Sequence, residues 1–290
     1  MQAPPINGTM VDMIIAIDTG GTKTLIAKFS DDGELVSSQK FPTPRDQAEY
    51  LSQVISVTRE LSGEDNPRGI SIALPGVIRD QKAVICKNLG WQNFDVISEL
   101  KTAWPDVPMW LENDANLGGV GAANLISPTP EKCLYVTVST GIGGGYIENK
   151  KIVSSTSESE ISDIHFEYNG AITRWGAIAN GRAIVSDFGV YASQLTNPDD
   201  QREIGRRVAR GLMALIPVLR PDIIAFGGGV GAHYHLFERF VLEELEILPE
   251  QYHCPILTAP HPEEIVIYGC YYHAIDQLNN QTVNYRSSEY

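Results

Sequence analysis

The feature that most constrains the fold is a short glycine-rich motif that occurs twice, each time between two apolar segments. The first copy is Asp18-Thr19-Gly20-Gly21, between the apolar runs 14–17 and 25–29. The second is Ser139-Thr140-Gly141-Ile142, between 133–138 and 145–148. Apolar runs joined by a tight glycine turn predict β-hairpins. Two copies of one supersecondary unit predict a duplicated α/β architecture with a ligand held between the two hairpin tips.

The first tip combines chemical groups that suit a phosphate. Gly20 and Gly21 carry no Cβ, so a ligand can approach their backbone closely. Consecutive N–H groups in such a turn form an anion-binding concavity, next to the side chains of Thr22 and Lys23. Asp18, at the end of the strand, could hold a metal ion through water. An ordinary hairpin turn has the same composition, and taken alone the motif fits both interpretations equally.

Length and charge bound the classes of protein and of partner. The chain has 290 residues, enough for two domains with separate cores. A net charge of −14 disfavours DNA or RNA as a partner but permits a small phosphorylated ligand. No apolar run reaches the ~20 residues of a membrane helix, and residues 1–12 lack the apolar core of a signal peptide. The four cysteines form no CxxC pair, which indicates a reducing compartment and a cytoplasmic protein.

The rest of the chain alternates predicted strands and helices. Before the second tip, strands are expected at 34–41, 70–74 and 107–111, a small hairpin at 77–85, and helices at 46–61, 95–102 and 114–124. After it, strands are expected at 221–226 and 256–258, and helices at 175–188, 202–219, 235–245 and 268–278.

The clearest linker is the proline-containing segment 127–130. We therefore expect an N-terminal domain at 13–126, with 266–278 packing back on it, and a C-terminal domain at 127–265. Residues 1–12 are expected to be a flexible leader, and 279–290 a flexible tail.

Glu112-Asn113-Asp114 ends a predicted strand and opens a predicted helix. A carboxylate at a helix N-terminus stays ionised at neutral pH, as a general base must. Asp114 could therefore take the proton of an incoming hydroxyl while Asn113 grips a neighbouring hydroxyl. The alternative is a simple helix N-cap, and from these residues alone it is the better supported interpretation.

Three further segments could bind small molecules. Gly228 and Gly229 follow a strand without the G-x-G-x-x-G spacing, so they could bind a purine or ribose or simply form a tight turn. Asn88 and Trp91 could line a sugar pocket, although Trp91 could equally belong to the core. Glu160 lies in the acidic segment 154–168, which either contacts a ligand through one of its carboxylates or is solvated.

In this order, the motifs resemble those of the ROK family of sugar kinases and related repressors. The resemblance covers about residues 13–278 and rests on the segments 18–23, 74–76, 88–91, 112–116, 139–145 and 227–230. It implies an actin-like, ribonuclease-H-like α/β fold of two domains with a duplicated βββαβα core. Sugar and ATP would occupy the cleft between the domains, with magnesium bridging the phosphates. Homodimers are common in the family, so a homodimer is also expected.

The resemblance also implies roles for individual residues. Asp114 would be the catalytic base, and Asp18 would orient magnesium and its waters. The implied substrate-binding residues are Gly76, Asn88, Asn113, Glu160 and Asp163. The implied nucleotide-binding residues are Asp18, Gly20, Gly21, Thr22, Lys23, Thr140, Gly141, Gly228 and Gly229.

One family motif is altered in this chain. The family's E-x-G-H reads Glu160-Ile161-Ser162-Asp163, and the zinc-binding cysteines that normally follow are absent, so no zinc site is expected. The leading expectation is an ATP- and magnesium-dependent kinase that phosphorylates a primary hydroxyl of a hexose, glucose first. Alternatives are an N-acetylhexosamine such as N-acetylmannosamine as substrate, polyphosphate or ADP as donor, and a sugar-sensing protein without turnover.

Overall fold

The structure, a computed structural model, describes the backbone of residues 13–287 and the side chains of residues 13–280. The chain forms two compact units. One contains the described chain up to Leu117 and from Cys270 onward, and the other runs from Gly118 to Gly269. The leader expected at 1–12 and the last residues of the expected tail, 288–290, lie outside the described residues.

The strands and helices follow in chain order. The strands are β1 (Met13–Thr19), β2 (Lys23–Ser30), β3 (Leu35–Pro42), β4 (Gly69–Leu74), β5 (Val77–Arg79), β6 (Lys82–Cys86), β7 (Trp91–Phe94), β8 (Met109–Asn113), β9 (Lys132–Val138), β10 (Ile142–Glu148), β11 (Lys151–Ile152), β12 (His165–Tyr168), β13 (Ala171–Arg174), β14 (Ile223–Gly227) and β15 (Ile256–Thr258). The helices are α1 (Gln47–Ser62), α2 (Val96–Leu100), α3 (Asp114–Leu125), α4 (Trp175–Ile178), α5 (Gly181–Phe188), α6 (Pro198–Leu219), α7 (Gly228–Gly231), α8 (Glu238–Leu245) and α9 (Ile265–Ser287).

The first unit is built on a five-stranded sheet in the order β3-β2-β1-β4-β8. Strands β1 to β3 form an antiparallel meander, and β4 and β8 run parallel to β1. Because β1 is central, its apolar residues are buried on both faces of the sheet. One face packs against α1 and the small sheet β5-β6-β7, as Ile17, Tyr50 and Trp91 share one core. The other face contacts α9, where the rings of Phe29 and Tyr271 stack with centroids 5.2 Å apart.

The second unit repeats this sheet. Its five strands have the order β11-β10-β9-β14-β15, with an antiparallel meander followed by two strands parallel to β9. Its core gathers side chains from β9, β14, α4 and α6, including Val136, Phe226, Trp175 and Val208. The same strand order and directions in both units confirm the duplication expected from the two glycine tips.

Three segments differ from the sequence-based expectation. The helix expected at 175–188 is two helices, because the Asn180 side chain accepts a hydrogen bond from Ala183 N (2.8 Å) and starts a new helix. The last four residues of the acidic segment form β12, which pairs with β13 in a hairpin. Its turn is Asn169-Gly170, with φ angles of +52° and +81°. Trp91–Phe94, where no strand was predicted, forms the edge strand of the small sheet.

The division between the units falls inside α3, before the proline-containing segment at 127–130. The part of the helix that belongs to the second unit packs closely within that unit. A Cβ on Gly118 would lie 2.4 Å from the Tyr135 ring, and one on Gly121 would lie 2.4 Å from the Ile265 carbonyl oxygen. Helix α9 likewise extends to Ser287, so the backbone of 279–287 is helical where a tail was expected. Within the described part of the chain, every helix is too short or too polar to cross a lipid bilayer.

Candidate active site

The first glycine turn is held in place through its own backbone. Gly20 N donates to Lys23 O (2.9 Å), and Gly20 O accepts a hydrogen bond from the Thr43 hydroxyl (2.9 Å). Thr43 N donates in turn to Thr22 O (3.1 Å). Gly21 remains half-buried, and the side chains of Thr22 and Lys23 are exposed. The turn is therefore fixed from the β3 side while its tip stays open to a ligand.

Buried hydroxyls support this turn. The Thr43 hydroxyl also pairs with that of Thr24 (3.0 Å), and the Thr19 hydroxyl pairs with that of Tyr50 (2.8 Å). All four side chains are buried, and burial raises the pKa of Tyr50 far above its usual range. These hydroxyls stay neutral and bond to one another, so they brace the turn.

We predict that Thr43→Val destabilises the protein by about 1–3 kcal/mol and raises the KM for a nucleotide several-fold. Valine keeps the shape of threonine but leaves Gly20 O and the Thr24 hydroxyl without this partner in a buried setting. Urea unfolding measures the first effect and steady-state kinetics the second. Thr43→Ser keeps the hydroxyl and is the matched control. It is expected to show a smaller loss of stability and a smaller rise in KM. A valine variant as stable as the wild type would contradict this account of the turn.

Strand register places three charged residues in one row across the first sheet. Asp18 pairs with Leu25, which pairs with Lys40; on its other side Asp18 pairs with Ala73, which pairs with Glu112. Paired residues of neighbouring strands point to the same face, so this cross-strand row presents Lys40, Asp18 and Glu112 together. Asp18 lies in the middle of it.

Burial, together with the nearby charge of Asp114, raises the pKa of Asp18 to about 7 despite the opposing effect of Lys40. Asp18 and Asp114 are therefore close enough to repel each other. Two carboxylates that interact electrostatically, one of them half protonated near neutral pH, are typical of a site that receives a cation or performs proton transfer.

The strand-to-helix turn at Asn113 and Asp114 is capped by Asn113. Its Oδ1 accepts hydrogen bonds from Ala115 N (2.9 Å) and Asn116 N (3.2 Å), while its Nδ2 donates to Gly76 O (2.9 Å). The N-cap interpretation is thus confirmed for Asn113. Asp114 is half-buried in the first turn of α3, and its Oδ1 accepts from Ala115 N (2.9 Å). The helix N-terminus favours its ionised form.

The other expected substrate residues of the first unit flank this turn. Gly76 has φ +101°, and a Cβ there would lie 2.1 Å from Ile85 O, so no other residue fits. Asn88 is exposed, and its Cβ lies 3.3 Å from the position that a Cβ on Gly21 would occupy. The first unit therefore brings the Asn88 loop next to the first glycine turn, and Gly76 next to Asn113.

Trp91 belongs to the core. It is buried, its indole Nε1 donates to Arg45 O (2.7 Å), and its ring lies 4.8 Å from that of Tyr50 and 5.1 Å from that of Phe94. Arg45 also donates to Asn88 O, which ties the Asn88 loop to the start of α1. The interpretation of Trp91 as the wall of a sugar pocket is therefore wrong, and its alternative is correct.

In the second unit, two glycine-rich turns lie together. Ser139 N donates to Gly141 O (2.8 Å), and the Thr140 side chain is exposed. Gly228 has φ +77°, and a Cβ there would lie 3.1 Å from Ser139 Cβ. Positions 141 and 229 have open space where a Cβ would be, so the backbone is accessible at both.

The altered motif carries an ion pair that the sequence did not indicate. Asp163 accepts from the Arg174 guanidinium (2.9 Å) across the β12–β13 hairpin, and Glu160 is exposed. The Asn169-Gly170 turn could have predicted that hairpin and hence the pairing, because Asn-Gly is the strongest short hairpin signal. Among the residues whose side chains are described, no group of three or more His, Cys, Asp or Glu is arranged to hold a metal ion.

Comparisons with known proteins identify relatives of this chain. The chain is 26% identical over 283 aligned residues to the N-acetylmannosamine kinase of Yersinia pestis (strain Pestoides F), covering 88% of this chain and 96% of the relative. Its structure is similar to that of a ROK family glucokinase from Streptomyces griseus in complex with glucose and AMPPNP. The TM-score is 0.79 at 21% identity, covering 91% of this chain and 99% of the other.

A ROK family transcriptional regulator is also similar, with a TM-score of 0.76 at 15% identity, covering 90% of this chain and 78% of that protein. These likenesses confirm the expected actin-like α/β fold. The ROK family model matches residues 14–272, nearly the whole described chain. This protein therefore belongs to the ROK family.

Proposed function

We propose that this protein is a kinase that transfers the γ-phosphoryl group of ATP to a primary hydroxyl of a hexose, with glucose as the first candidate. The observation that carries the proposal is the placement of Asp18, in a charged row at the end of β1, and of Asp114, at the N-terminus of α3, in the same unit as a braced glycine turn. One carboxylate at a helix N-terminus and another at a strand end meet two needs of phosphoryl transfer. These are a base for the attacking hydroxyl and a negative group for a cation.

Asp114 would accept the proton of the sugar hydroxyl as the hydroxyl oxygen attacks the γ-phosphorus. Phosphoryl transfer needs little covalent help, so a modest, well-placed base is enough. Asn113 and Asn88 would bind neighbouring hydroxyls, next to the Gly76 backbone. Glu160 and Asp163 of the second unit are the other proposed sugar contacts, and Asp163 would bind while paired with Arg174.

The nucleotide would be bound through backbone and hydroxyl groups. Gly20, Gly21 and Thr22 would contact phosphates, with the exposed Lys23 adding a positive charge. In the second unit, Thr140 and Gly141 would contact phosphates, and Gly228 and Gly229 would lie against the adenosine. This assignment is supported by the open space at positions 141 and 229.

Asp18 fits the role proposed for it toward magnesium. Magnesium in kinases is held by one or two carboxylates together with phosphates and water, and no all-protein cage is required. Asp18 is half-buried beside another negative charge, so a divalent cation would stabilise its ionised form. When bound, magnesium would neutralise charge on the phosphates.

Two relatives favour specific alternatives. The Yersinia pestis relative is named an N-acetylmannosamine kinase, so an N-acetylhexosamine is the nearest rival substrate. The likeness to a transcriptional regulator favours a sugar-sensing protein without turnover as the other rival. The Asp163–Arg174 ion pair is compatible with either rival function, because Asp163 occupies the position of the family's histidine, which would contact the sugar.

We predict sugar-dependent ADP release from Mg-ATP, largest with glucose in a panel that includes mannose, fructose, N-acetylglucosamine and N-acetylmannosamine. A coupled assay measures the ADP release, and parallel reactions with ADP or polyphosphate as the donor are followed by the sugar phosphate that forms. Sugar binding is followed separately by the rise in melting temperature. N-acetylmannosamine as the best substrate would replace the hexose assignment. A sugar that raises the melting temperature without any ADP release would indicate the sensing protein.

A further inference from the structure

We infer that Glu112 is a positioning residue for Asp114, holding the strand-to-helix turn that aims its carboxylate at the substrate hydroxyl. This inference rests on the proposed function. Glu112 precedes the two residues expected to act on the sugar, and neither the sequence pattern nor the resemblance gives it a role.

A single oxygen of Glu112 joins the two sides of the turn. Its Oε1 accepts hydrogen bonds from Asn113 N (2.7 Å) and from Asn116 Nδ2 (3.0 Å). Asn113 is the last residue of β8, whereas Asn116 lies in the first turn of α3 and is only 1% exposed. Asp114 is thus enclosed by a link between strand and helix, which we call the Glu112 clamp.

The placement of Glu112 in the sheet explains how it reaches the helix. In the cross-strand row it is separated from Asp18 by Ala73, and its side chain is on the same face as Asp18. The small Ala73 leaves room for both carboxylates. Asn113, the next residue, points to the opposite face and holds Gly76 there. The turn is consequently fixed on both faces of the sheet, by Glu112 on one and by Asn113 on the other.

Such a fixed turn matters for a general base. The Asp114 carboxylate is joined to the backbone by one methylene, so its position follows the backbone of the turn closely. A displacement of about 1 Å in a reacting group can lower a rate by about 10²-fold. Hydrogen bonds to a carboxylate are stronger than neutral ones, which suits Glu112 to the task.

The test compares variants that differ in one property each. Glu112→Ala removes both hydrogen bonds, and we expect kcat to fall about 10- to 100-fold with the KM for ATP within about twofold. Glu112→Gln keeps an oxygen that can accept both bonds, so kcat should stay within about threefold of wild type. Asn116→Ala removes one bond and serves as a milder variant if Glu112→Ala folds poorly. Loss in the glutamine variant equal to that in the alanine variant would overturn the inference.

A second comparison asks whether Glu112 acts through Asp114. In an Asp114→Asn background, Glu112→Ala should change the residual turnover by less than about twofold, because the group that it positions has gone. A further 10-fold loss in that background would show that Glu112 affects turnover by another route, and would overturn the inference.

Amide hydrogen exchange of the ligand-free protein separates this inference from the proposed function. Exchange at Asn113 and Asn116 should accelerate in Glu112→Ala and stay at the wild-type rate in Glu112→Gln, whatever the protein phosphorylates. Unchanged exchange in Glu112→Ala would overturn the clamp. A wild-type protein that releases no ADP with any sugar would instead overturn the proposed function.

Discussion

Asp114→Asn is expected to lower kcat by about 10²- to 10⁴-fold, the usual contribution of a general base. Asparagine has nearly the shape of aspartate and keeps an Oδ1 that can accept from Ala115 N, as Asp114 does now at 2.9 Å. It cannot take a proton from a hydroxyl. The fold, the cap made by Asn113 and the nucleotide-binding backbone should therefore persist while turnover is lost.

The measurement pairs ADP release with the Kd for nucleotide by calorimetry. Asp106→Asn makes the same chemical change at an exposed position of the same unit and should leave both quantities unchanged. A variant at position 114 that keeps more than half of the wild-type turnover would exclude Asp114 as the base. Equal loss of turnover and of nucleotide affinity would indicate a structural role for it.

Local patterns were enough to predict the frame of this site. The two glycine tips follow from adjacent apolar runs and turn residues, and the start of α3 at Asp114 follows from polar capping residues before an apolar segment. Both depend on residues only a few positions apart. The duplication then follows because the same short pattern occurs twice, and the matching sheet orders confirm it.

Contacts between distant residues could not be predicted in this way. The pairing of Thr43 with Gly20 joins the residue after β3 to the turn between β1 and β2, and that of Tyr50 with Thr19 joins a helix to a strand. In neither pair does the separation along the sequence indicate that the two residues are in contact. Trp91 was ambiguous for the same reason, because its partners Tyr50 and Phe94 are brought to it by the fold. The Glu112 clamp joins residues only one and four positions apart, but it was identified from the side-chain hydrogen bonds of the structure and not from the sequence pattern.

Replacement of the Asp18 carboxylate is expected to increase the stability of the protein and to decrease its activity. We expect Asp18→Asn to raise the free energy of unfolding of the ligand-free, magnesium-free protein by about 2–4 kcal/mol at pH 8. Turnover should fall about 10²-fold or more, because the carboxylate proposed to orient magnesium is lost. A residue that is unfavourable for the fold but needed for activity is typical of a functional site.

The pH dependence gives the sign of the stability effect. The pKa of Asp18 is about 7 in the folded protein and near 3.8 for an ordinary aspartate. Between these values the folded state holds a proton that the unfolded state has released, so wild-type stability decreases as the pH rises toward 7. Asparagine at position 18 removes that decrease. Urea unfolding should therefore show a difference in the free energy of unfolding between variant and wild type that is larger at pH 8 than at pH 5.

Asp106→Asn is again the matched control, since an exposed aspartate in the same unit should show no such widening. Added magnesium and nucleotide should reduce the difference in the free energy of unfolding between variant and wild type. A bound cation stabilises the ionised carboxylate of the wild type, and the variant has no carboxylate at this position. If the variant is less stable than the wild type at pH 8, then Asp18 is paired well enough to stabilise the ligand-free fold. The raised pKa of Asp18 would then not indicate a cation-binding site.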